Sequence, residues 1–336
     1  MIGKGAAIFG CEGLTLSPSE RAFFRDYDPF GFIIFSRNVE TPVQLRKLTS
    51  DLREAVGRQA PILIDQEGGR VQRLRAPHWR EWTPPLEAIL AAGDDAATVM
   101  ALRSQIIAAE LLAVGIDANC APLADIASAE THPFLRNRCY GETVAGVTAI
   151  ARAVAEAHLH IGVLPVVKHL PGHGRSRSDT HLELPTVTVD RNSLIENDFA
   201  PFKALADLPM AMTAHIIFAA YDAINPATQS VEMLRVIRDE IGFGGLLMTD
   251  DLNMQALQGD LATRTARAIA AGCDIALHCK GDLAEMQQVA SAAGHMTSTA
   301  QARARAALAQ RCAPKTVDIA ELEAMLSALK DKGRHG

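Results

Sequence analysis

The chain is short of aromatic residues: Phe, Trp and Tyr make up 5% of its 336 residues. Ala, Leu, Ile and Val must therefore fill most of the core that a hydrophobic content of 48% implies. No large charge imbalance is present either, with 33 Lys and Arg against 39 Asp and Glu and a formal net charge of −6. Composition forces no basic face, so nucleic acid is not an expected partner. The six cysteines, Cys11, Cys120, Cys139, Cys273, Cys279 and Cys312, include no C-x-x-C pair. Their scatter excludes a disulfide framework and points to buried free thiols in a reducing compartment. No segment approaches the ~20 apolar residues of a membrane span. The run after Lys4, from Ala6 to Cys11, is shorter than the ~7–15 residues of a signal h-region and reads as a first core strand. No G-x-G-x-x-G opens a helix, Gly68-Gly69 does not match that fingerprint, and no cofactor is expected. Linkers, low-complexity runs and repeats are also missing. These features predict one cytoplasmic domain over 1–330 with a frayed tail at 331–336, free of membrane and of any obligate protein partner.

What the chain does have is a recurring short apolar run. Eight occur, at Ala6–Phe9, Gly31–Phe35, Ile62–Ile64, Ile116–Ile126, Leu164–Val167, Met210–Ile217, Leu246–Thr249 and Ile275–Leu277. Between them lie segments with apolar residues at the helical period, among them Pro42–Val56, Ala96–Val114, Val144–His160, Ser193–Ala206, Val231–Ile241 and Leu261–Ala271. Val147, Ile150, Val154 and Leu159 line one face of the third. Alternating strand and helix builds right-handed βαβ units around a parallel sheet. Eight such units predict an α/β fold of the (β/α)8 TIM-barrel type, and the Ala-rich stretch after the eighth run predicts extra C-terminal helices.

The densest chemistry follows the fifth run. From Lys168 to His181, fourteen positions hold Lys168, His169, His173, Asp179 and His181 among glycines and a proline. In a barrel the loops leaving the strand C-termini share one face, where the active site sits. Asp65, Glu67 and Arg73 leave the third strand. Asp125, Arg136 and Arg138 leave the fourth, His215 the sixth, and Asp250 with Asp251 the seventh. This set suits hydrolysis of a hydroxyl-rich molecule: carboxylates such as Asp65 accept from sugar hydroxyls, and Arg and Lys donate to them. A glycosidase also needs a carboxylate near the anomeric carbon and a proton donor near the leaving oxygen. Asp250 or Asp251 can supply the first, and alternation along a strand does not choose between them. A histidine titrates near neutrality and can supply the second. Asp179, two residues from His181, falls on the same side of an extended backbone and can orient that ring.

The run K-H-L-P-G-H-G-x4-D-T-H resembles the signature of family 3 glycoside hydrolases, in the single-domain bacterial β-N-acetylglucosaminidase branch. Five further blocks resemble that family in order: Gly31–Asn38, Asp65–Arg73, Arg138–Gly141, Met212–His215 and Met248–Met254. The resemblance implies a retaining exo-hydrolase of terminal β-linked N-acetylglucosamine, with Asp250 as nucleophile, His181 as acid/base and Asp179 as its partner. It places Asp65, Arg73, Arg138, Lys168 and His169 on the sugar. The implied substrate is an amino-sugar muropeptide fragment of cell-wall recycling, N-acetylglucosaminyl-anhydro-muramic acid with or without peptide. Leu170, His132 and Cys139-Tyr140 depart from the commoner residues of that pattern, and none removes a group the reaction needs.

Plainer roles compete at several positions. His173 in its Pro-Gly turn reads as a loop organiser and His215 as either a structural or a site histidine. Asp251 reads as a helix cap or supporting group, Asp125 as a support and Arg136 as solvated. The rival class is a metal-dependent amidohydrolase on the same barrel, which would want an H-x-H pair ending an early strand. The first two strands end in Cys11-Glu12 and Ser36-Arg37 instead, and no metal is expected.

Overall fold

The computed structural model describes residues 1–176 and 184–332. Asp179 and His181 therefore lie outside the described residues. Eight parallel strands close into a barrel: β1 (Gly5–Gly10), β2 (Pro29–Ile34), β3 (Ile62–Ile64), β4 (Ala118–Asn119), β5 (Leu164–Leu170), β6 (Met210–Thr213), β7 (Leu246–Asp251) and β8 (Ile275–His278). Each pairs with its neighbours in chain order, and β1 closes on β8 with Ala7 opposite Ala276. All eight apolar runs of the sequence supply a barrel strand, and the fold is the expected single-domain (β/α)8 type. Strands covered on both faces read as unbroken apolar runs, and every residue of β1, β2 and β5 is buried.

The helices begin and end where the local chemistry dictates. Thr41 accepts from the Gln44 N–H at the start of Pro42–Val56, whose Pro42 has no amide to satisfy, and Gly57 ends it in the left-handed region at φ 62°. Thr143 and Gly162 do the same for Val144–Ile161. On that helix Val147, Ile150 and Val154 are buried as expected, while Leu159 is half-buried and His158 takes the innermost place beside it.

Two runs and two helices differ from expectation. The fourth run keeps strand geometry only at Ala118–Asn119 before its chain turns into the site. The sixth leaves the barrel after Thr213, and Ile217–Phe218 pairs instead with Thr186–Val187 in a separate two-stranded sheet. The expected helix Ser193–Ala206 is interrupted: a wide turn at Leu194–Asp198 precedes Ala200–Ala204. Pro201 has no N–H to continue the ladder at that junction. Val231–Ile241 likewise passes from α-helix to a wide turn at Val236–Glu240. The helices Pro18–Tyr27 and Pro85–Ala92 were not among the segments singled out by periodicity.

Three helices follow β8: Leu283–Ala293, Ser298–Ala309 and Ile319–Lys332. The last rests Leu322 and Leu326 on Val99, Leu102 and Ile106 of helix Ala96–Ala113, and it runs into the start of the expected tail. Five cysteines are buried thiols and Cys312 is exposed, against the expectation that all six are buried. No helix among the described residues is long and apolar enough to cross a membrane.

Candidate active site

A cleft with a cavity volume of about 230 Å³ opens at the C-terminal ends of the strands. Asp65, Arg73, Arg138, Lys168, His169 and Asp250, all expected from the sequence, line it. So do Phe35, His132, His173, Met212, Asp251, Met254 and Cys279.

Two irregularities bring neighbouring strand residues to the same opening. Between β5 and β6 the register shifts, so that Lys168 lies opposite Met212 and Leu170 opposite Thr213. Lys168 and His169 both reach the cleft across that shift. Between β7 and β8 the register also slips, from Met248 opposite Ile275 to Asp251 opposite Leu277. Such bulges re-aim side chains, and Asp250 and Asp251 both line the cleft despite being adjacent.

One wall is a cluster of buried ions. The Lys168 ammonium donates to Asp65 Oδ1 at 2.8 Å and lies 2.6 Å from Glu67 Oε1. Arg138 clamps both oxygens of Glu67 at 2.8 and 2.9 Å, and Arg73 donates to Asp65 Oδ2 at 3.0 Å. Burial alone would push both acids up. The Lys168, Arg73 and Arg138 charges win at Asp65 and hold it well below the carboxylate range, and Arg138 and Lys168 bring Glu67 down to about 2. Burial disfavours the charge on Lys168, but Asp65 and Glu67 outweigh it and keep the ammonium protonated well above its usual range.

Glu67 was not among the residues assigned a role by sequence. The signal for it was charge balance: two cations, Lys168 and Arg138, converging on a buried wall need more than the single carboxylate of Asp65. Behind the cluster, Asn119 at the end of β4 takes the Gln66 N–H on its Oδ1 at 3.0 Å and donates its amide to the ring of His158 at 3.0 Å. Burial lowers His158 to about 4. Its neutral ring donates from Nδ1 to the Val154 carbonyl at 2.8 Å, leaving Nε2 to accept. Helix Val144–Ile161 thereby pins the segment that carries Asp65 and Glu67.

Glu67→Gln is expected to expose how much the fold leans on this cluster. Removing one partner of a buried ion pair costs about 3–5 kcal/mol. The pH dependence has a definite sign. Glu67 has its ordinary value of 4.5 when unfolded and about 2 when folded, so its stabilisation is complete above 4.5 and is lost as pH falls through about 2. Urea melts of the native chain from pH 7 to pH 2.5 should show this loss below 4.5, and the Gln variant should be less stable at pH 7 with a flatter acid limb. An unchanged acid limb would remove Glu67 from this role.

A second device fixes His169. Asp125, fully buried, accepts the His169 Nδ1–H at 2.8 Å and the backbone N–H groups of His169 and His173 at 3.2 and 2.7 Å. Burial opposes its ionisation, but the two histidines and these donors lower its value. The tautomer of His169 is thus set, with Nε2 left for the cleft. Asp125 supports the site, as the sequence suggested. His173 adds its backbone to that turn but also lines the cleft, with Nδ1 buried and unpartnered among the described residues. Burial, with His169 beside it, lowers its ring to about 4, so it is neutral at physiological pH. Gly174 allows the turn its close approach, because a Cβ there would stand 1.8 Å from the Ile126 carbonyl oxygen.

On the opposite wall, Asp250 accepts one hydrogen bond among the described residues, from the Asp251 N–H to Oδ1 at 2.8 Å. Burial raises its value, but the fields of His215, His169 and Lys168 with that N–H outweigh it and keep Asp250 below the usual range. Asp251 behaves oppositely: burial and the neighbouring Asp250 charge lift it to about 6. Its Oδ1 accepts the N–H groups of Asn253 and Cys279, both at 3.2 Å. It therefore ties the β7 and β8 exits together and caps no helix, the next one beginning at Leu261.

His215 sits beneath Asp250, fully buried and lowered by that burial. Its Nε2 donates to the Asp251 carbonyl at 3.1 Å, and as a neutral ring it accepts at Nδ1 from Thr228 at 2.8 Å. It organises the β7 exit. Arg136 pairs with the exposed Glu142 and stands away from the cleft. Among the described residues no group of three or more His, Cys, Asp or Glu is arranged to hold a metal ion.

The model of the glycosyl hydrolase family 3 N-terminal domain matches residues 15–310. A beta-hexosaminidase of Alkalilimnicola ehrlichii is 39% identical over 287 residues, covering 82% of this chain and 80% of the relative. One of Methylococcus capsulatus is 36% identical over 277 residues, covering 81% and 82%. Among solved structures, a glycoside hydrolase family 3 beta-N-acetylglucosaminidase from Paenibacillus superposes with a TM-score of 0.85 at 29% identity, covering 97% of this chain and 67% of that one.

Proposed function

Because the chain belongs to glycosyl hydrolase family 3 and is a β-hexosaminidase of the β-N-acetylglucosaminidase type, we propose that it is a retaining exo-enzyme. In this reading it removes terminal β-linked N-acetylglucosamine by way of a covalent glycosyl-Asp250 intermediate. The observation that carries this is the state of Asp250. It is ionised, tied down among the described residues at one oxygen only, and placed in the same cleft as the Asp65–Glu67–Lys168–Arg138 cluster.

Each neighbour has work to do around such a sugar. Asp65 accepts from ring hydroxyls while Lys168 and Arg73 keep it ionised, Arg138 and Lys168 donate, and the free Nε2 of His169 accepts from a sugar hydroxyl. Phe35 gives the sugar an apolar face. His181, oriented by Asp179, protonates the leaving oxygen and then activates water. We assign the substrate as N-acetylglucosaminyl-1,6-anhydro-muramic acid, with or without peptide, in cell-wall recycling in the cytoplasm. The chemistry uses no cofactor and no nucleic acid, membrane or obligate protein partner.

Two kinetic comparisons test the proposal. Hydrolysis of p-nitrophenyl N-acetyl-β-glucosaminide should exceed that of the plain glucoside by about 100-fold or more in kcat/KM, since the acetamido group is the one feature distinguishing them. Parity between the two would remove the amino-sugar assignment. A 2-fluoro sugar with an activated leaving group should label Asp250, read by peptide mass. Turnover of the N-acetyl substrate by an enzyme that the fluoro sugar never labels would favour an acetamido-assisted route. Loss of activity on chelation, restored by zinc, would revive the metal-dependent reading.

A further inference from the structure

Arg103 is 2% exposed, yet among the described residues no carboxylate lies within ion-pair distance of it. Its Nη2 donates to the Glu67 carbonyl at 2.6 Å, while Nε and Nη1 are buried without a hydrogen-bond partner among the described residues. The neighbouring acids are already committed. Both oxygens of Glu67 are held by Arg138 and Lys168, and Glu110, two turns along the same helix, pairs with Arg80. A buried, hydrogen-bond-starved guanidinium is costly, and burial lowers it to about 10. The guanidinium carbon lies 5.3 Å from the Trp82 ring centre, and that ring's Nε1–H is also buried and unpartnered among the described residues. The arrangement is tight on its inner side, where a Cβ on Gly68 would collide with Arg103 Nη2.

The side chains that carry these orphaned donors, Arg103 and Trp82, line a cavity of about 350 Å³, separate from the catalytic cleft, with the unpartnered nitrogens just beneath its wall. Its walls come from helices Pro85–Ala92, Ala96–Ala113 and Ile319–Lys332, through Ala88, Ala92, Val99 and Leu326. We propose that this cavity is a binding site for a small apolar monocarboxylate, whose carboxylate is received by Arg103 and whose hydrocarbon part lies against Trp82, Val99 and Leu326. The charge is set by Arg103, which needs one counter-anion. The exposed carboxylate of Glu87 at the rim discourages a second negative charge on the ligand. Apart from the exposed Thr83 and Glu87, the alanine, valine and leucine walls favour a hydrocarbon tail.

Hexanoate is the probe, with hexanol and acetate as controls that keep only the tail or only the charge. Hexanoate at about 10 mM should raise the melting temperature by about 2 °C and bind with a Kd near or below about 1 mM by calorimetry. Both controls should bind at least about tenfold more weakly, one decade being 1.4 kcal/mol. Arg103→Gln should abolish the preference for hexanoate over hexanol. Should that variant fold poorly, Ala92→Phe fills the cavity from its rim and should lower hexanoate affinity about tenfold while leaving glycoside hydrolysis unchanged. No hexanoate binding at about 10 mM, hexanol binding as tight as hexanoate, or full affinity in Ala92→Phe would each overturn the proposal.

Discussion

Asp250→Ala should lower kcat by about 10⁴-fold or more on every β-N-acetylglucosaminide, aryl or natural, because the nucleophile proposed here would act in the first step whatever the leaving group. The fold should survive. The Asp250 carboxylate joins no ion pair among the described residues, and its one hydrogen bond there is to the next residue's N–H. Its loss also relieves Asp251, whose value is raised in part by the Asp250 charge. The thermal melt should therefore stay close to native while activity collapses. Azide sharpens the test. Entering the space left by the carboxylate, it should attack from the nucleophile's side and release the α-glycosyl azide from an activated aryl substrate. Formation of the β-azide, or a loss of kcat under tenfold, would place the nucleophile elsewhere.

The barrel was legible because strands covered on both faces leave an unmistakable trace: all eight apolar runs became barrel strands. Legibility failed where the chain leaves the barrel. The run Met210–Ile217 reads as continuous, yet its first half is barrel and its last residue, Ile217, pairs with Thr186 in a separate sheet. Hydrophobicity alone cannot report which sheet a buried residue joins. The site was legible in its residue types and in the strand ends that carry them. Its pairing was less so. Glu67 looked like one polar residue among several after β3, and only the approach of Lys168 and Arg138 from two other junctions shows that it anchors the wall. Alternation along β7 could not choose between Asp250 and Asp251. The register slip against β8 brings both to the cleft, and what separates them is environment: His215 and Lys168 favour charge on the first, and burial beside that charge disfavours it on the second.

His181→Ala should divide substrates by their leaving groups. A sugar alkoxide is too basic to depart without a proton, so kcat/KM on N-acetylglucosaminyl-anhydro-muramic acid should fall by about 10²–10⁴-fold, the usual worth of a positioned general acid. Nitrophenolate leaves unaided, so kcat/KM on the p-nitrophenyl glycoside should fall less than about tenfold. The ratio kcat/KM is the quantity to compare, because it reports only steps through the first irreversible one, and the general-base role proposed for the same imidazole in hydrolysing the intermediate does not enter it. That second role appears separately. On the aryl substrate kcat should fall together with KM, as the glycosyl-enzyme accumulates, and a burst of nitrophenolate should precede the steady state. Asp179→Asn should give the same pattern in milder form, since in the proposed dyad the ring would remain but lose the carboxylate that stabilises its charged state. The cleft is suited to this division of labour. Asp250 is kept ionised, and His169 and His215 are each tied to fixed partners, His169 by Asp125 and His215 by the Asp251 carbonyl and Thr228. Neither of those rings is available to replace a missing proton donor. Equal losses on natural and aryl substrates, or a His181→Ala enzyme without a burst, would require the proton to come from another group, and the neutral His173 at the cleft wall would be the first to replace.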